Sequence, residues 1–186
     1  MFNLGRRSFR LFNKLFMVPM FRLGFGALMG NRVTGYIMVL KTIGRKTGKI
    51  RYTPANYAIH TGNVYCLAAW GHLADWYRNM KATREIEVIL PAGSFFGTVL
   101  DVTDLKERRI ILRKILQNAG LAGFFGGFNP FTTTEEEILR KTADQPLLRI
   151  RPIGIGNGAS DPGGWSWVWT PIFIILIILI SIARAR

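Results

Sequence analysis

The sequence is poor in the residues that bind metals or form disulfides. Its 186 residues include one cysteine, Cys66, and two histidines, His60 and His72. A single cysteine provides no disulfide framework, and neither HxxxH nor CxxC spacing occurs, so we expect no metal site. Cys66 lies in an apolar run typical of a strand. Without disulfides or a metal site, the chain depends on a hydrophobic core for its stability. Its length suits one domain with additional segments.

Several motifs that would identify common enzyme classes are also missing. No G-x-G-x-x-G follows a predicted strand, and there is no Walker A loop, which excludes Rossmann and P-loop nucleotide sites at the motif level. No G-x-S-x-G elbow is present either, and no histidine is well placed to serve a nucleophile. A hydrolase is therefore not expected.

Acidic residues are missing from the first 74 positions, which carry eleven Lys or Arg and no Asp or Glu. Residues 75–186 carry fourteen basic and eleven acidic residues. The positive field therefore belongs to the N-terminal part. Such a field attracts the phosphates of nucleic acid, anionic lipid or a phosphorylated cofactor, and charge alone does not choose among them.

An uncharged segment of 19 residues spans 165–183, WSWVWTPIFIILIILISIA, and its inner part is almost continuously apolar. It is near the length of about 20 residues that a membrane helix needs, and Trp165, Trp167 and Trp169 resemble an interfacial belt. We expect a membrane anchor here, joined by a linker at 156–164 to a domain on the cytoplasmic side. The alternative is packing on the domain or in a homodimer interface.

The N-terminal segment, residues 1–30, has a helical pattern. Arg6, Arg10 and Lys14 recur at i, i+4 and i+8, with Phe and Leu on much of the other side. An amphipathic basic helix follows. It would lie on an anionic bilayer or pack across the folded domain.

The middle of the chain, residues 31–155, is rich in short β-type runs separated by glycine-containing turns. The pattern predicts strands at 36–42, 50–60, 64–70, 86–90, 94–101 and 147–151. Helices are predicted at 75–82, capped by Asp75, from Asp104 to about 118, and from Thr134. The expected fold is mainly β with flanking helices, a small barrel.

The most informative stretch is residues 40–54, LKTIGRKTGKIRYTP. Two glycines bracket a cationic turn, and Arg51 and Thr53 follow at a spacing of two, which puts them on one face of a strand. Backbone N–H groups, the Thr47 hydroxyl and the Arg51 guanidinium can converge on one phosphate. A solvated basic hairpin is the structural alternative.

This stretch resembles the signature L-x-T-x-G-R-K-[ST]-G-x-x-R-x-x-P of the deazaflavin-dependent nitroreductase-like family. Residues 13–19 resemble its N-terminal helix, and residues 68–71 and 75–80 resemble its strand-and-helix segment ending in W-Y-x-N. The resemblance covers roughly residues 10–152. It implies a split β-barrel of the FMN-binding type, which binds coenzyme F420 or, in other relatives, FMN.

The resemblance also implies which residues bind the cofactor. Lys46, Thr47 and Arg51 would hold its phosphate-bearing tail, with Arg45 and Lys49 adding positive field. The other implied positions would line the ribityl chain, face the ring or close the pocket wall, and they are Thr53, Pro54, Ala68, Ala69, Trp70, Gly71, Trp76 and Asn79. Tyr57, Tyr77 and His72 are candidate proton donors, although each also has a structural interpretation.

Two departures from the family pattern bear on the substrate. Gly71 and His72 stand where the nitroimidazole-reducing members carry a lysine, and FFGGFNPF at 124–131 replaces several substrate-facing tyrosines. An apolar acceptor such as a quinone or lipid is expected. The chain is then an F420- or FMN-dependent oxidoreductase, and the alternative is a membrane-anchored carrier of a flavin- or haem-like ligand. Nucleic acid is not an expected partner, because the cations cluster in one phosphate-sized turn.

Overall fold

The computed structural model describes residues 11–23, 25, 30–31, 33–126, 129–157 and 168–184. Within these ranges the chain forms one antiparallel sheet of seven strands. The strands are β1 (Gly30–Asn31), β2 (Gly35–Ile43), β3 (Ile50–His60), β4 (Asn63–Leu67), β5 (Glu85–Leu90), β6 (Gly93–Asp101) and β7 (Leu147–Ile155).

The sheet closes on itself. Its order is β1-β2-β3-β4-β7-β6-β5, and β2 pairs with β5 as well as with β3. Six strands, β2 to β7, therefore make a closed barrel, while the two-residue β1 extends one edge. The predicted fold class, mainly β with a barrel and flanking helices, is confirmed in this form.

Alternating residues of each strand divide the core into an interior and outer layers. Met38 and Leu40 of β2 belong to the cluster that fills the barrel, together with Val88 of β5 and Ile150 of β7. Val39, between them in sequence, packs in a separate cluster on the outer face. This is the two-residue period expected of a strand buried on both sides.

Helices cover the outside and one mouth of the barrel. They are α1 (Val18–Arg22), preceded by a π-helical turn at Asn13–Met17, α2 (Asp75–Ala82), α3 (Leu105–Asn118), α4 (Glu135–Lys141) and α5 (Trp169–Arg184). Helix α3 packs on the outer face of β3 and β4, whereas Tyr77 and Met80 of α2 belong to the interior cluster. Helix α2 therefore closes one end of the barrel.

The predicted helix starts at Asp104 and Thr134 are confirmed, and both residues are N-caps. Asp104 accepts a hydrogen bond from the Glu107 N–H, and Thr134 accepts one from the Glu137 N–H. The predicted cap at Asp75 is wrong. Ala74 is the N-cap residue of α2, and Asp75 is already inside the helix. Its carboxylate forms an ion pair with Arg45, which follows β2.

Two strand boundaries differ from the prediction by more than one residue. Strand β4 ends at Leu67 instead of residue 70, because the Ala69 and Gly71 N–H groups donate to Leu67 and Ala68 and fold the chain into a tight turn. Strand β7 continues to Ile155, four residues past the predicted end, because it pairs with β6 as far as Phe95. The first difference comes from a turn inside the predicted segment, and the second from pairing with a distant strand.

The predicted membrane anchor is wrong. The helical part of the apolar run, α5, has 16 residues, and at about 1.5 Å per residue it is shorter than the roughly 30 Å hydrocarbon core of a bilayer. None of the helices in the described ranges is both long and apolar enough to cross a membrane. The predicted membrane-anchored localisation is wrong with it.

Parts of both terminal predictions lie outside the described residues: Arg6 and Arg10, most of the linker, Trp165 and Trp167. The described N-terminal part, from residue 11, packs on the barrel. Met17 and Phe21 are buried against Val39 of β2 and Ile89 of β5. This corresponds to the interpretation in which the helix covers the domain.

Candidate functional site

The cationic turn between β2 and β3 is closed by its own backbone. The Gly44 N–H donates to the Lys49 carbonyl, and the Gly44 carbonyl accepts from the Thr47 and Gly48 N–H groups at 3.1 and 2.8 Å. Among the amides of residues 44–49, that of Lys46 makes no hydrogen bond within the described part of the chain. Most of the backbone N–H groups that were expected to bind a phosphate therefore already donate hydrogen bonds within the protein.

The side chains, by contrast, converge on one point. A Cβ built on Gly44 would lie 3.2 Å from the Thr47 Oγ1 atom and 3.4 Å from the Arg51 Nε atom. Both donors thus lie close together beside Gly44, where the Lys49 carbonyl oxygen is nearer still, at 3.1 Å, so a ligand atom must meet them outside this crowded position. This is the hydroxyl-and-guanidinium pair that the spacing of the turn predicted.

Positive charge around this point is not neutralised locally. The side chains of Lys46, Lys49 and Arg51 are exposed and make no hydrogen bond or ion pair within the described ranges. Gly48, with φ of +65°, reverses the chain between the two lysines. Several unpaired cations beside a hydroxyl are suited to an anionic group, because charge-assisted hydrogen bonds to phosphate are strong.

The strand register decides which residues of β3 face this point. Arg51 pairs with Thr42 and Thr53 pairs with Leu40, whose side chain points into the barrel, so Arg51 and Thr53 share the interior face. Pro54 pairs with Val39 and therefore faces the outer layer. The structure brings Thr53, but not Pro54, to the side of Arg51.

Thr42 is a residue of this face to which the sequence analysis gave no role. Its side chain is buried, and its Oγ1 atom makes no hydrogen bond within the described residues. The two-residue alternation with Leu40 predicts its burial, but nothing local indicates that the hydroxyl lacks a partner.

Arg45 faces away from the convergence point and binds helix α2. Its Nη1 atom lies 3.0 Å from Asn79 Oδ1 and 3.3 Å from the Asp75 carbonyl, and its Nη2 atom lies 3.2 Å from Asp75 Oδ1. The Arg45 backbone N–H also donates to Asn79 Oδ1, at 3.2 Å. The two motifs recognised in the sequence therefore meet at the mouth of the barrel that α2 closes.

The segment that precedes α2 runs from Ala68 to Leu73. Ala68 is fully buried, its N–H donating to the Pro146 carbonyl, whereas Ala69 and Trp70 are exposed. Gly71 has φ of +60°, and a Cβ there would come within 3.0 Å of the Asp144 carbonyl, so a side chain is excluded. Of the four residues predicted to face a ring, Ala69 and Trp70 are thus exposed and Ala68 is buried.

Helix α2 contributes the remaining predicted site residues. Trp76 is half-buried against the barrel interior, and Asn79 is buried beneath Arg45. Tyr77 is buried with its hydroxyl 3.4 Å from Asp101 Oδ1, and its pKa is raised by burial and by the nearby Asp101 charge. His72 is exposed and stacks edge-on to the Tyr77 ring at 5.4 Å.

Part of the phenylalanine-rich loop is described. The Phe124 and Phe131 side chains are 46% and 64% exposed. Arg113 of α3 fixes the loop by donating to the Pro130 and Thr133 carbonyls. The side chain of Phe125 and the whole of Phe128 lie outside the part of the chain that the structure describes.

The closed barrel and this donor set define a class. A closed barrel with these donors is typical of a split-barrel protein that binds a phosphate-bearing cofactor of the flavin type. The hydroxyl, the guanidinium and the two lysines are suited to an anionic tail. Residues 17–122 match the model of the F420H(2)-dependent quinone reductase family, more than half of the chain, and the protein belongs to this family. It is therefore a deazaflavin-dependent oxidoreductase whose cofactor is coenzyme F420.

More distant similarities are found among solved structures. One is a putative 5-nitroimidazole antibiotic resistance protein from Bacteroides thetaiotaomicron, 10% identical, with a TM-score of 0.45 over 63% of this chain and 73% of that one. Another is an F420-H2 dependent reductase, FDR-A, 20% identical, with a TM-score of 0.43 over 62% and 93%. At this distance neither bears on the substrate. No curated protein matches the sequence.

Proposed function

We propose that this protein transfers a hydride from reduced F420 to an apolar, quinone-like acceptor, holding the phosphate-bearing tail of the cofactor at the β2–β3 turn. The observation that carries this proposal is the convergence of Thr47 Oγ1 and Arg51 Nε above Gly44. Lys46 and Lys49 add positive field around that point. The family to which the chain belongs supplies the cofactor and the class of acceptor.

The chain's own residues position the reactants. Thr53, on the interior face beside Arg51, extends this polar side of β3 by two residues away from the turn. Ala69, Trp70 and Gly71 offer accessible surface to the ring, Ala68 lies buried beneath them, and Trp76 forms the wall behind it. F420 supplies the hydride when bound, so the protein needs to provide position and electrostatics and not a nucleophile.

The three candidate proton donors have different surroundings, and Tyr57 is buried in the cluster that fills the barrel. Tyr77 is buried, and its hydroxyl already donates to Asp101. His72 is exposed at the start of the turn before α2. His72 is therefore the side chain that a reduced acceptor could reach, and Tyr77 supports its ring.

An Arg51→Ala variant tests the site. It removes a charged donor from the convergence point, so F420 binding should weaken by about 1.5–3 kcal/mol, or about 10- to 150-fold. Quenching of F420 fluorescence on titration measures this. The matched control is Arg109→Ala, which removes an exposed arginine of α3 that makes no hydrogen bond or ion pair within the described residues. Equal affinity of both folded variants would refute the assignment.

A further inference from the structure

Arg45 belongs to the cationic turn, yet all four of its hydrogen bonds are directed to helix α2. Its guanidinium binds the Asp75 carbonyl, the Asp75 carboxylate and Asn79 Oδ1, and its N–H also binds Asn79. A ligand at the Gly44 point would meet Thr47 and Arg51 instead. Arg45 is thus engaged before any anion arrives.

The ion pair alone is a weak contact, since the Asp75 side chain is 64% exposed and such surface pairs contribute little. Asn79 changes this, because it is 5% exposed and its Oδ1 atom accepts from both the backbone and the side chain of Arg45. Main chain and side chain are therefore fixed to the same helix, which orients the turn as well as anchoring it.

The contact connects the two halves of the cofactor site. Helix α2 follows directly on residues 68–73, and the Arg78 Nε atom donates to the His72 carbonyl at 2.9 Å. The surface proposed for the ring is thereby held to α2 at one end, and Arg45 holds the tail-binding turn to the same helix.

We infer that Arg45 is a positioning residue, not a ligand of the cofactor: through Asp75 and Asn79 it sets the separation between the tail-binding turn and the ring-facing segment. This inference rests on the proposed function, because it concerns the same site. A cofactor that bridges both halves gains from a fixed separation, since binding then costs no further ordering. A ligand that occupies one half gains nothing.

The Asp75→Asn variant separates the two roles by the sign of its effect. If Arg45 binds the tail or adds field, removing the Asp75 charge releases Arg45 and tightens F420 binding. If Arg45 positions the turn, the same change loosens it, and the dissociation constant of F420 should rise about threefold, the range of an exposed ion pair. Glu136→Gln, at an exposed site on α4, makes the same charge change without touching the turn.

Arg45→Met supplies the second measurement, since it keeps the side-chain stem and removes every side-chain hydrogen bond. F420 should bind about tenfold more weakly, whereas the tail-free deazaflavin riboside should bind as it does to the unmodified protein. Adding Asp75→Asn to Arg45→Met should cause no further loss. Thermal unfolding of each variant checks the fold, and an equal loss for both ligands would indicate plain destabilisation and overturn the inference.

The outcomes also distinguish this inference from the proposed function. Tighter F420 binding by Asp75→Asn, with weaker binding by Arg51→Ala, would leave the tail site standing and remove the positioning role of Arg45. Unchanged F420 binding in both variants would remove both. Weaker binding in both, with Glu136→Gln unchanged, is the result that we expect.

Discussion

Thr42 is buried in the barrel, and its hydroxyl has no hydrogen-bond partner within the described ranges. A buried polar group left unsatisfied costs about 1–3 kcal/mol, and valine has nearly the same shape without the hydroxyl. Thr42→Val should therefore raise the free energy of unfolding by about 1 kcal/mol. Urea denaturation of the cofactor-free protein measures it.

Thr142 provides the matched control at the same scale. It is equally buried, but its hydroxyl donates to the Ile138 carbonyl at 2.8 Å. Thr142→Val should lower the free energy of unfolding or leave it unchanged. A loss of stability in Thr42→Val as large as that in Thr142→Val would show that the Thr42 hydroxyl is satisfied.

Single residues of the site were predictable where their chemistry is local. Thr47 and Arg51 lie within eight residues of Gly44 in sequence, and the turn that joins them is short, so their convergence follows from spacing. The orientation of the Arg45 side chain does not follow from spacing, because its partner Asp75 is thirty positions away in the sequence. The sequence predicts a helix cap at Asp75 instead. The position of Pro54 on the face opposite to Arg51 and Thr53 follows from the two-residue alternation, but only the register with Val39 shows that this face is the outer one.

Among the elements, helix α2 and strand β6 are joined by a small charged cluster at Asp101. Lys81 binds Asp101 Oδ2 at 2.7 Å, and Arg84 lies 3.4 Å from the same atom. Burial alone would raise the pKa of Asp101, but the hydrogen bond and charge of Lys81, with the charge of Arg84, outweigh it and lower the pKa below its ordinary 3.8. The ionised carboxylate therefore stabilises this junction.

A lowered pKa has a definite pH signature. The contribution of Asp101 is fully present above the unfolded-state pKa of about 3.9 and is lost as the pH falls through the lower folded-state pKa. Asp101→Asn should therefore be less stable than the unmodified protein at pH 7, and the difference should shrink below about pH 4. Urea midpoints across this range provide the test. A difference independent of pH would contradict it.

Elements were predictable where their signals are local. The side chains of Asp104 and Thr134 bind the third residue that follows them, so both helix starts could be identified from a few neighbouring residues. The prediction of a membrane helix in the apolar run near the C-terminus failed because no local signal marks where that helix begins. An uncharged run indicates that a segment is hydrophobic, but it does not indicate where a helix within it begins. Here the helix begins at Trp169.

At the scale of the whole molecule, the proposed acceptor preference depends on the phenylalanine-rich loop. The exposed rings of Phe124 and Phe131 offer apolar surface without hydroxyl groups. Burying about 60 Å² more apolar surface gains about 1.5 kcal/mol at 25 cal/mol per Å², or about tenfold. We therefore expect kcat/KM for a prenylated quinone analogue to exceed that for a bicyclic nitroimidazole by about this factor.

Steady-state assays with reduced F420 as the hydride donor measure both acceptors. Phe131→Tyr restores one hydroxyl at nearly constant size and should narrow the preference. A higher kcat/KM for the nitroimidazole with the unmodified protein would refute an apolar acceptor.

The barrel as a class was predictable from the number and length of its strands, but its closure was not. Pairing of β2 with β5 and insertion of β7 between β4 and β6 join segments from about 50 to more than 80 residues apart. Turn residues specify hairpins between neighbouring strands, and such distant pairings leave no signal in any short window.

The position of β7 has a consequence for how the chain is made. Among the described strands it is the last to be synthesised, and it pairs on both sides, Cys66 of β4 opposing Leu148 and Val99 of β6 opposing Ile150. Until it leaves the ribosome, β4 and β6 each carry an unpaired edge, which is a template for association with other chains. The region that identifies the family ends at residue 122. A nascent chain can thus carry the whole family signature and still depend on later residues to protect it from aggregation.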